Sequence, residues 1–252
     1  MAEAKIQHEM ATRKGKIALY KELCFGPGSF VSFVLFEWAT LFLSWLPGAL
    51  GLFARGLVYP RFFAACGKGV VFGRNMTIRH PGKVQIADGV IFDDNVLIDA
   101  KGSGGGIMLG QGVYIGRNTI LSCKGGKIAL HDKANLGQNC VIFSAREVSI
   151  GAGCMIAAFC HILSGGEYDV ISEVPFCRQK GKEVAKATII GEDCWLGSAV
   201  CVTSETAIGA YSVIGAKSLV NRDIPPASIA VGIPAKVIRT RTLTSQQRLP
   251  AE

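Results

Sequence analysis

The stretch IIGEDCWLGSAVCVTSETAIGAYSVIGAKSLV, residues 189–220, returns to an aliphatic side chain every six positions: Ile190, Leu196, Val202, Ile208, Ile214 and Val220. An α-helix would spread such a series around its circumference instead of gathering it on one face. The residue after an anchor is usually small or turn-forming, as at Gly191, Gly197, Gly209 and Gly215. A period of six punctuated by glycine turns is the pattern of a parallel β-helix. Three short strands make one triangular coil, and coils stack at a strand spacing of about 4.8 Å. The anchors point inward. One coil buries little by itself, so stability comes from stacking.

The same period runs back to Phe72 and Ile78. Between them and Ile190 come Ile86, Phe92, Ile98; Leu109, Ile115, Leu121; Leu130, Leu136, Ile142; and Ile150, Ile156, Ile162. Four positions after an anchor stands a second small or β-branched residue, such as Val96, Thr119, Cys140, Cys160, Ser212 or Ser218. The spacing stretches after Ile78, Ile98, Leu121, Ile142 and Ile162, each time once a set of three anchors is complete. Every insertion therefore leaves the prism at one corner. The longest, Ser164 to Lys186, reads as a projecting loop on a rigid scaffold, where function commonly resides.

Composition narrows the partners. The net charge is +8, and basic residues cluster at Arg13–Lys21, Arg178–Lys186 and Lys236–Arg241. That balance suits phosphates of a cofactor or an anionic membrane surface. No aromatic–basic interleaving or helix-turn-helix pattern accompanies it, so nucleic acid is not expected. Nine cysteines form no C-x-x-C pair, and Cys140, Cys154, Cys160 and Cys194 fall at one equivalent place in the repeat. They read as small apolar fillers in a reducing compartment, and no zinc site is expected.

"IIGEDCWLGSAV" followed by "AIGAYSVIGAKSLVNRDIPPASIAVGIPAKVIR" resembles the left-handed β-helix acyltransferases, in particular the galactoside and streptogramin acetyltransferase-like branch. The resemblance covers roughly residues 70–240. It implies a left-handed prism, acetyl-CoA or another acyl-CoA as donor, and a homotrimer with active sites in clefts between neighbouring prisms. Ser198 and Ala216 match positions that line the pantetheine arm. Asn221 and Arg222 lie where the family commonly has Thr-Lys near the adenosine phosphates. Lys236 and Arg239 match the basic pair that reaches those phosphates. A polyanionic donor needs fixed cations, and a thin pantetheine needs close backbone approach.

This chain departs from the family twice. Ser204-Glu205 stands where a Pro-Gly turn is common. The positions that usually carry a loop histidine are Gly166, Glu167 and Tyr168, and residues 164–186 contain no His. A base is still needed to take the acceptor's proton during attack on a thioester. His161 precedes the anchor Ile162, so strand alternation turns it outward at the foot of the loop, where a carboxylate such as Glu167 or Asp169 could orient it. Glu167 is the second candidate, because it occupies the stretch where the family keeps its His. His131 reads as a turn residue paired locally with Asp132, His80 belongs to the first coil, and His8 lies in the charged arm.

Residues 29–46, SFVSFVLFEWATLFLSWL, are mostly apolar and end at Pro47-Gly48, with Glu37 near the middle and basic residues on both flanks, Arg13, Lys14, Lys16 and Lys21 before and Arg55 and Arg61 after. The run is borderline for a span of about 20 residues. A hairpin dipping into the membrane, two helices lying in the interface, or a soluble helical cap would each accommodate it. The expected organisation is a charged arm and apolar helical region over 1–66, a β-helix over 67–224 with the loop 164–186, and an extension over 225–252 carrying a short helix.

These readings converge on a membrane-associated O-acetyltransferase at the cytoplasmic face. It would act on a hydroxyl of a saccharide or lipid-linked saccharide, such as part of a surface polysaccharide, and an N-acetyltransferase on an amino sugar is the nearest variant. A non-catalytic β-helix scaffold that has lost its base is the alternative. A carbonic-anhydrase-like metalloenzyme would need clustered histidines, and the four here, at 8, 80, 131 and 161, are scattered.

Overall fold

A computed structural model describes residues 16–102, 104–179, 181 and 185–243. His8, Arg13 and Lys14 lie outside the described residues, as do 180 and 182–184 of the loop and the outer ends of the expected domains 1–66 and 225–252.

The repeat folds as a mainly β, parallel β-helix of three sheets, with seven, nine and seven strands among the described residues. Every anchor from Phe72 to Val220 is buried. In the second sheet Leu196 stacks between Ile156 and Ile214. In the third sheet Ile162 stacks between Ile142 and Val202. The anchor of each strand thus enters a continuous apolar column, joined in the first sheet by a second buried side chain such as Val84, Ile107, Ile128 or Val148, each contributing about 1.5–3 kcal/mol of burial. The insertions leave where a third-sheet strand hands over to the next first-sheet strand, as between His161–Ser164 and Thr188–Ile190.

The corners need a left-handed backbone. Between the first and second sheets it falls on glycine at Gly69, Gly89, Gly112 and Gly153, where L side chains are costly, and on Lys133, Asp193, Tyr211 and Ala227 in the other coils. Between the second and third sheets it falls on Asn75, Asn95, Asn118 and Asn139, then on Phe159, Ala199 and Lys217.

The small residues four places after the anchors do more than fill space. Thr119 Oγ1 donates to the Gly137 carbonyl at 2.9 Å. Cys140 and Cys160 Sγ donate to the Ala157 and Gly197 carbonyls at 3.2 Å. Cys154 and Cys194 Sγ do the same toward Gly191 and Gly209, at 2.9 and 3.3 Å. Each ties its turn to the turn of the next coil. All nine cysteines are free thiols. Burial pushes the Cys123 thiol up to about 12. The hydrogen bond to Cys160 and burial push Cys140 up, and Cys194 and burial do so for Cys154.

Among the described residues three helices close the base: α1 (Lys16–Cys24), α2 (Phe30–Leu43) and α3 (Gly48–Val58). In this stack a strand carbonyl accepts from the coil below, as Ile115 does from Asp93, so the Phe72 carbonyl in the first coil points down with no strand to meet it. Arg55 on α3, 2% exposed, supplies the donor. Its Nε reaches Phe72 O at 2.9 Å, and its Nη1 reaches Leu43 O and Leu46 O at 2.9 and 2.8 Å. The backbone N–H groups of Asn75 and His80 donate to Ser44 O and Cys24 O. Phe63 stacks on Phe72, and Phe72 on Phe92, so aromatic rings continue the core into the cap. His80 belongs to this seal: buried, with Nε2 3.0 Å from the Glu22 carbonyl and Nδ1 3.6 Å from Asp99.

The expected C-terminal helix is not found. Lys236–Thr240 is a strand, antiparallel to Ser228–Val231 on the free edge of the second sheet. The β-branched run in KVIRT suits a strand, and that edge offers unpaired backbone groups that a helix would leave open. Among the described residues no helix is long and apolar enough to cross a membrane.

Candidate active site

Register places the donor candidates. Trp195 is opposite Val213, and Val213 is opposite Ile229. Ser198, Ala216 and Gly232 therefore stack on the corner between the second and third sheets. Ser198 and Ala216 are both exposed, and Lys217 N donates to Ser198 O at 2.8 Å. A Cβ on Gly197 would lie 2.6 Å from the Ala216 backbone nitrogen, so this position must be glycine for the coils to close up. Val231 pairs with Lys236 and Ile229 with Arg239, which sets both cations over the top of the same sheet, exposed.

Asn221 and Arg222 are exposed but lie elsewhere, on the corner where the third sheet gives way to the first. The structure stacks Ser198 and Ala216 on one corner, sets Lys236 one residue short of it and Arg239 three residues short, over the second sheet, and leaves these two on the next corner. Ala235 N donates to Leu219 O at 2.7 Å and Leu219 N to Gly232 O at 3.0 Å. The Gly232–Ala235 turn thus covers the free end of the third sheet between the two corners.

His161 opens the strand His161–Ser164 of that third sheet. It points outward and is exposed, with Val141 beside it one coil below and Cys201 one coil above. It stands three residues past the corner that carries Ser198 and Ala216. Burial raises the Cys201 thiol, with Cys160 adding to the effect.

Glu167 is exposed on the loop beyond the far end of the strand, next to the corner of Asn221 and Arg222. The expected orienting contact is not made: among the described residues, neither Glu167 nor Asp169 meets the His161 side chain. Asp169 is instead tied into its own loop, where Gln179 Oε1 accepts from its N–H at 2.9 Å and Gln179 Nε2 donates to its carbonyl at 3.0 Å. Gly165 N donates to Ser204 Oγ at 2.7 Å. Ser204-Glu205, the departure from a Pro-Gly turn, thus anchors the root of the loop, and Glu205 also accepts from Ala185 N at 2.5 Å.

His131 pairs differently than expected. Its Nε2 lies 3.3 Å from Ser149 Oγ, and Asp132 accepts from Gln111 N at 2.7 Å. No group of three or more His, Cys, Asp or Glu among the described residues is placed to hold a metal ion.

One feature of the site escaped the sequence reading. The left-handed corner beside His161 changes from asparagine to Phe159, Ala199 and Lys217 in the coils that carry the candidate residues. Asn tolerates that backbone and Phe does not. The Asn75, Asn95, Asn118, Asn139 series broken at Phe159 is the signal that would have found it.

No protein-family model matches the chain. The chain is 33% identical over 137 residues to a protein of Mycobacterium tuberculosis named as a probable acetyltransferase, covering 54% of this chain and 45% of that one. It is 34% identical over 130 residues to the galactoside O-acetyltransferase of Escherichia coli, covering 52% of this chain and 55% of that one. The chain thus spans about half the length of these curated relatives. Among solved structures, an N-acyltransferase from Bacillus cereus in complex with dTDP and coenzyme A superposes with a TM-score of 0.51 at 20% identity, covering 79% of this chain and 92% of that one. The resemblance to β-helix acyltransferases read from the sequence is borne out by the relatives in sequence, and the β-helix by the superposition.

Proposed function

We propose that this chain is an acyl-CoA-dependent O-acetyltransferase that transfers the acetyl group of acetyl-CoA to a hydroxyl of a saccharide or lipid-linked saccharide. In this reading it works at the cytoplasmic face of the membrane, as a left-handed prism in a homotrimer whose clefts hold the sites. The observation that carries the reading is the shared edge. Ser198 and Ala216 stack on one corner, Lys236 and Arg239 lie over the sheet that leads to it, and His161 opens the next strand face within three residues of it. Relatives named as acetyltransferases, one of them for galactosides, support the chemistry.

Lys236 and Arg239 would pair with phosphates of the donor, and the Gly197 and Gly215 corner would let pantetheine lie against backbone. His161 would take the proton of the acceptor hydroxyl as its oxygen attacks the thioester carbonyl. Collapse of the tetrahedral adduct breaks the C–S bond and leaves an acetyl ester. The departing thiolate takes up the proton from the imidazolium. With an amine in place of the hydroxyl, the same steps give the N-acetyl variant.

Two observations favour the scaffold reading instead: His161 has no orienting partner among the described residues, and residues 164–186 lack a histidine. Calorimetric titration with acetyl-CoA separates the two. Micromolar binding by the wild type that a Lys236→Ala/Arg239→Ala variant loses supports the transferase. A folded, trimeric wild type that binds no acetyl-CoA sinks it.

A further inference from the structure

The helices of the base carry an apolar surface that packs against nothing in the chain. On α2, Phe33, Phe36 and Ala39 are buried beneath the prism. The opposite face presents Val31, Leu35, Trp38 and Phe42, and Trp45 continues it just past the helix end, all more than half exposed and at alternating steps of four and three. On α3, Gly51 and Arg55 face up to the first coil, while Leu50, Phe53 and Leu57 are 53–68% exposed on the other side. Glu37, the one charge within α2, is not on this surface. It turns toward α1, where Tyr20 Oη lies 3.3 Å from its carboxylate.

The charge around this face is one-sided. Residues 16–74 hold six Lys and Arg against two Glu. Arg55 is spent inside the cap and Arg74 pairs with Asp94 at 3.5 Å, while Lys16, Arg61 and Lys68 are exposed. A second copy seated on the same face would oppose these cations to their own equivalents. An anionic lipid surface would neutralise them, and tryptophan favours that boundary. With 14 residues, α2 is about 21 Å long, short of a hydrocarbon core of about 30 Å. It can lie in the interface but not cross.

We propose that the base of the prism is a lipid-docking face: α2 and α3 lie in the plane of an anionic bilayer, the prism stands upright on them, and the acceptor hydroxyl is carried well away from the lipid. The upright posture follows because the helices meet the downward-pointing groups of Phe72, Asn75 and His80. His161 stands on the fifth strand of its sheet counted from the base. Four strand spacings, roughly 19 Å, separate it from the first coil, and a helix layer about 10 Å thick lies beneath. A hydroxyl on the first sugar of a lipid would sit below the site. A distal residue of a longer lipid-linked glycan would reach it. The consequence for the acceptor rests on the transferase reading above; the docking does not.

The test uses the full-length protein with vesicles of phosphatidylglycerol and phosphatidylcholine, against phosphatidylcholine alone. Flotation with the anionic vesicles, with Trp38 and Trp45 quenched by brominated lipid in a Trp195→Phe background, is the expected result. Leu35→Glu and Phe53→Glu should each weaken binding by roughly tenfold or more while leaving the melting temperature and acetyl-CoA binding in place. A donor dye on Cys177, the exposed cysteine in the loop that leaves the His161–Ser164 strand, should show the weak transfer to a headgroup dye that an upright prism gives. Folded protein that stays in solution overturns the proposal. So does an assembly that falls apart on either substitution, because the face then joins copies, and so does strong transfer, which means a prism lying flat. One-sugar lipid acceptors turned over as fast as longer ones overturn the acceptor assignment alone. Failure to bind acetyl-CoA sinks the transferase reading and leaves the vesicle result standing.

Discussion

At the scale of single residues, the corner beside His161 shows stability given up at the proposed site. Asn75, Asn95, Asn118 and Asn139 hold the left-handed corner in the lower coils, and Asn118 Nδ2 donates to Asn139 Oδ1 at 3.2 Å. One coil further up the chain places Phe159 there, at φ 64° and 54% exposed, so its ring earns little burial for the strain. Phe159→Asn is expected to raise stability by about 1 kcal/mol in denaturant titration, and to raise KM if the ring shapes the cleft. His161→Asn should lower kcat by about 10²–10⁴-fold with acetyl-CoA affinity unchanged, whereas Glu167→Gln, beside the next corner and away from the donor candidates, should change it by less than about tenfold. Equal losses in both variants would shift the base to the loop. The thiols give a check that needs no substrate. A disulfide reagent at pH 8 should modify exposed Cys177 at once, while Cys123, Cys140 and Cys154, buried and with thiols pushed up, should react only on unfolding.

At the scale of elements, the six-residue period was a complete guide to the prism because each anchor's burial is decided within its own coil and repeated by the next. The insertions at one corner were legible for the same reason. The ends were not. Whether 236–240 is helix or strand depends on the open edge at Ser228–Val231, a partner that no local pattern displays. The base depends on Arg55, which reads in sequence as one more flanking cation and in the fold supplies three bonds to carbonyls without a carboxylate partner. A planar guanidinium spreads its donors over three nitrogens in a fixed fork, whereas an ammonium gathers its three at one point and cannot span from the first coil to the end of α2 as well. Arg55→Met should therefore cost about 2 kcal/mol or more by leaving buried carbonyls unpaired, and Arg55→Lys should recover only part of it, both read by thermal melting. The candidate site was legible in halves: the stacking of Ser198 on Ala216 came through residue spacing, while the absence of a contact between His161 and Glu167 depends on where an insertion of more than twenty residues chooses to lie, which its own sequence does not fix.

At the scale of the whole molecule, a β-helix behaves as a one-dimensional stack in which each coil is held by its neighbours. Its two ends are closed unequally. The base is sealed by three helices, with Phe36, Tyr59 and Phe63 buried against the first coils. The top is closed by the strand Lys236–Thr240, all five residues of which are exposed. Opening should therefore begin at the top, where little apolar surface is lost with each coil released. In hydrogen exchange, amides of Val213–Val220 and Ser228–Val231 should exchange well before those of Lys127–Leu130 and Val141–Ser144 in the middle of the stack. The donor candidates Ala216, Lys236 and Arg239 belong to this weaker end, so a ligand bound there should close it. Saturating acetyl-CoA is expected to slow exchange across 213–240 and to leave the central coils and the base unchanged, because binding to the closed form alone stabilises it by mass action. Protection confined to the middle of the stack would move the donor site away from the Lys236 and Arg239 edge, and uniform protection would mean that the prism opens as a single unit and not from its top.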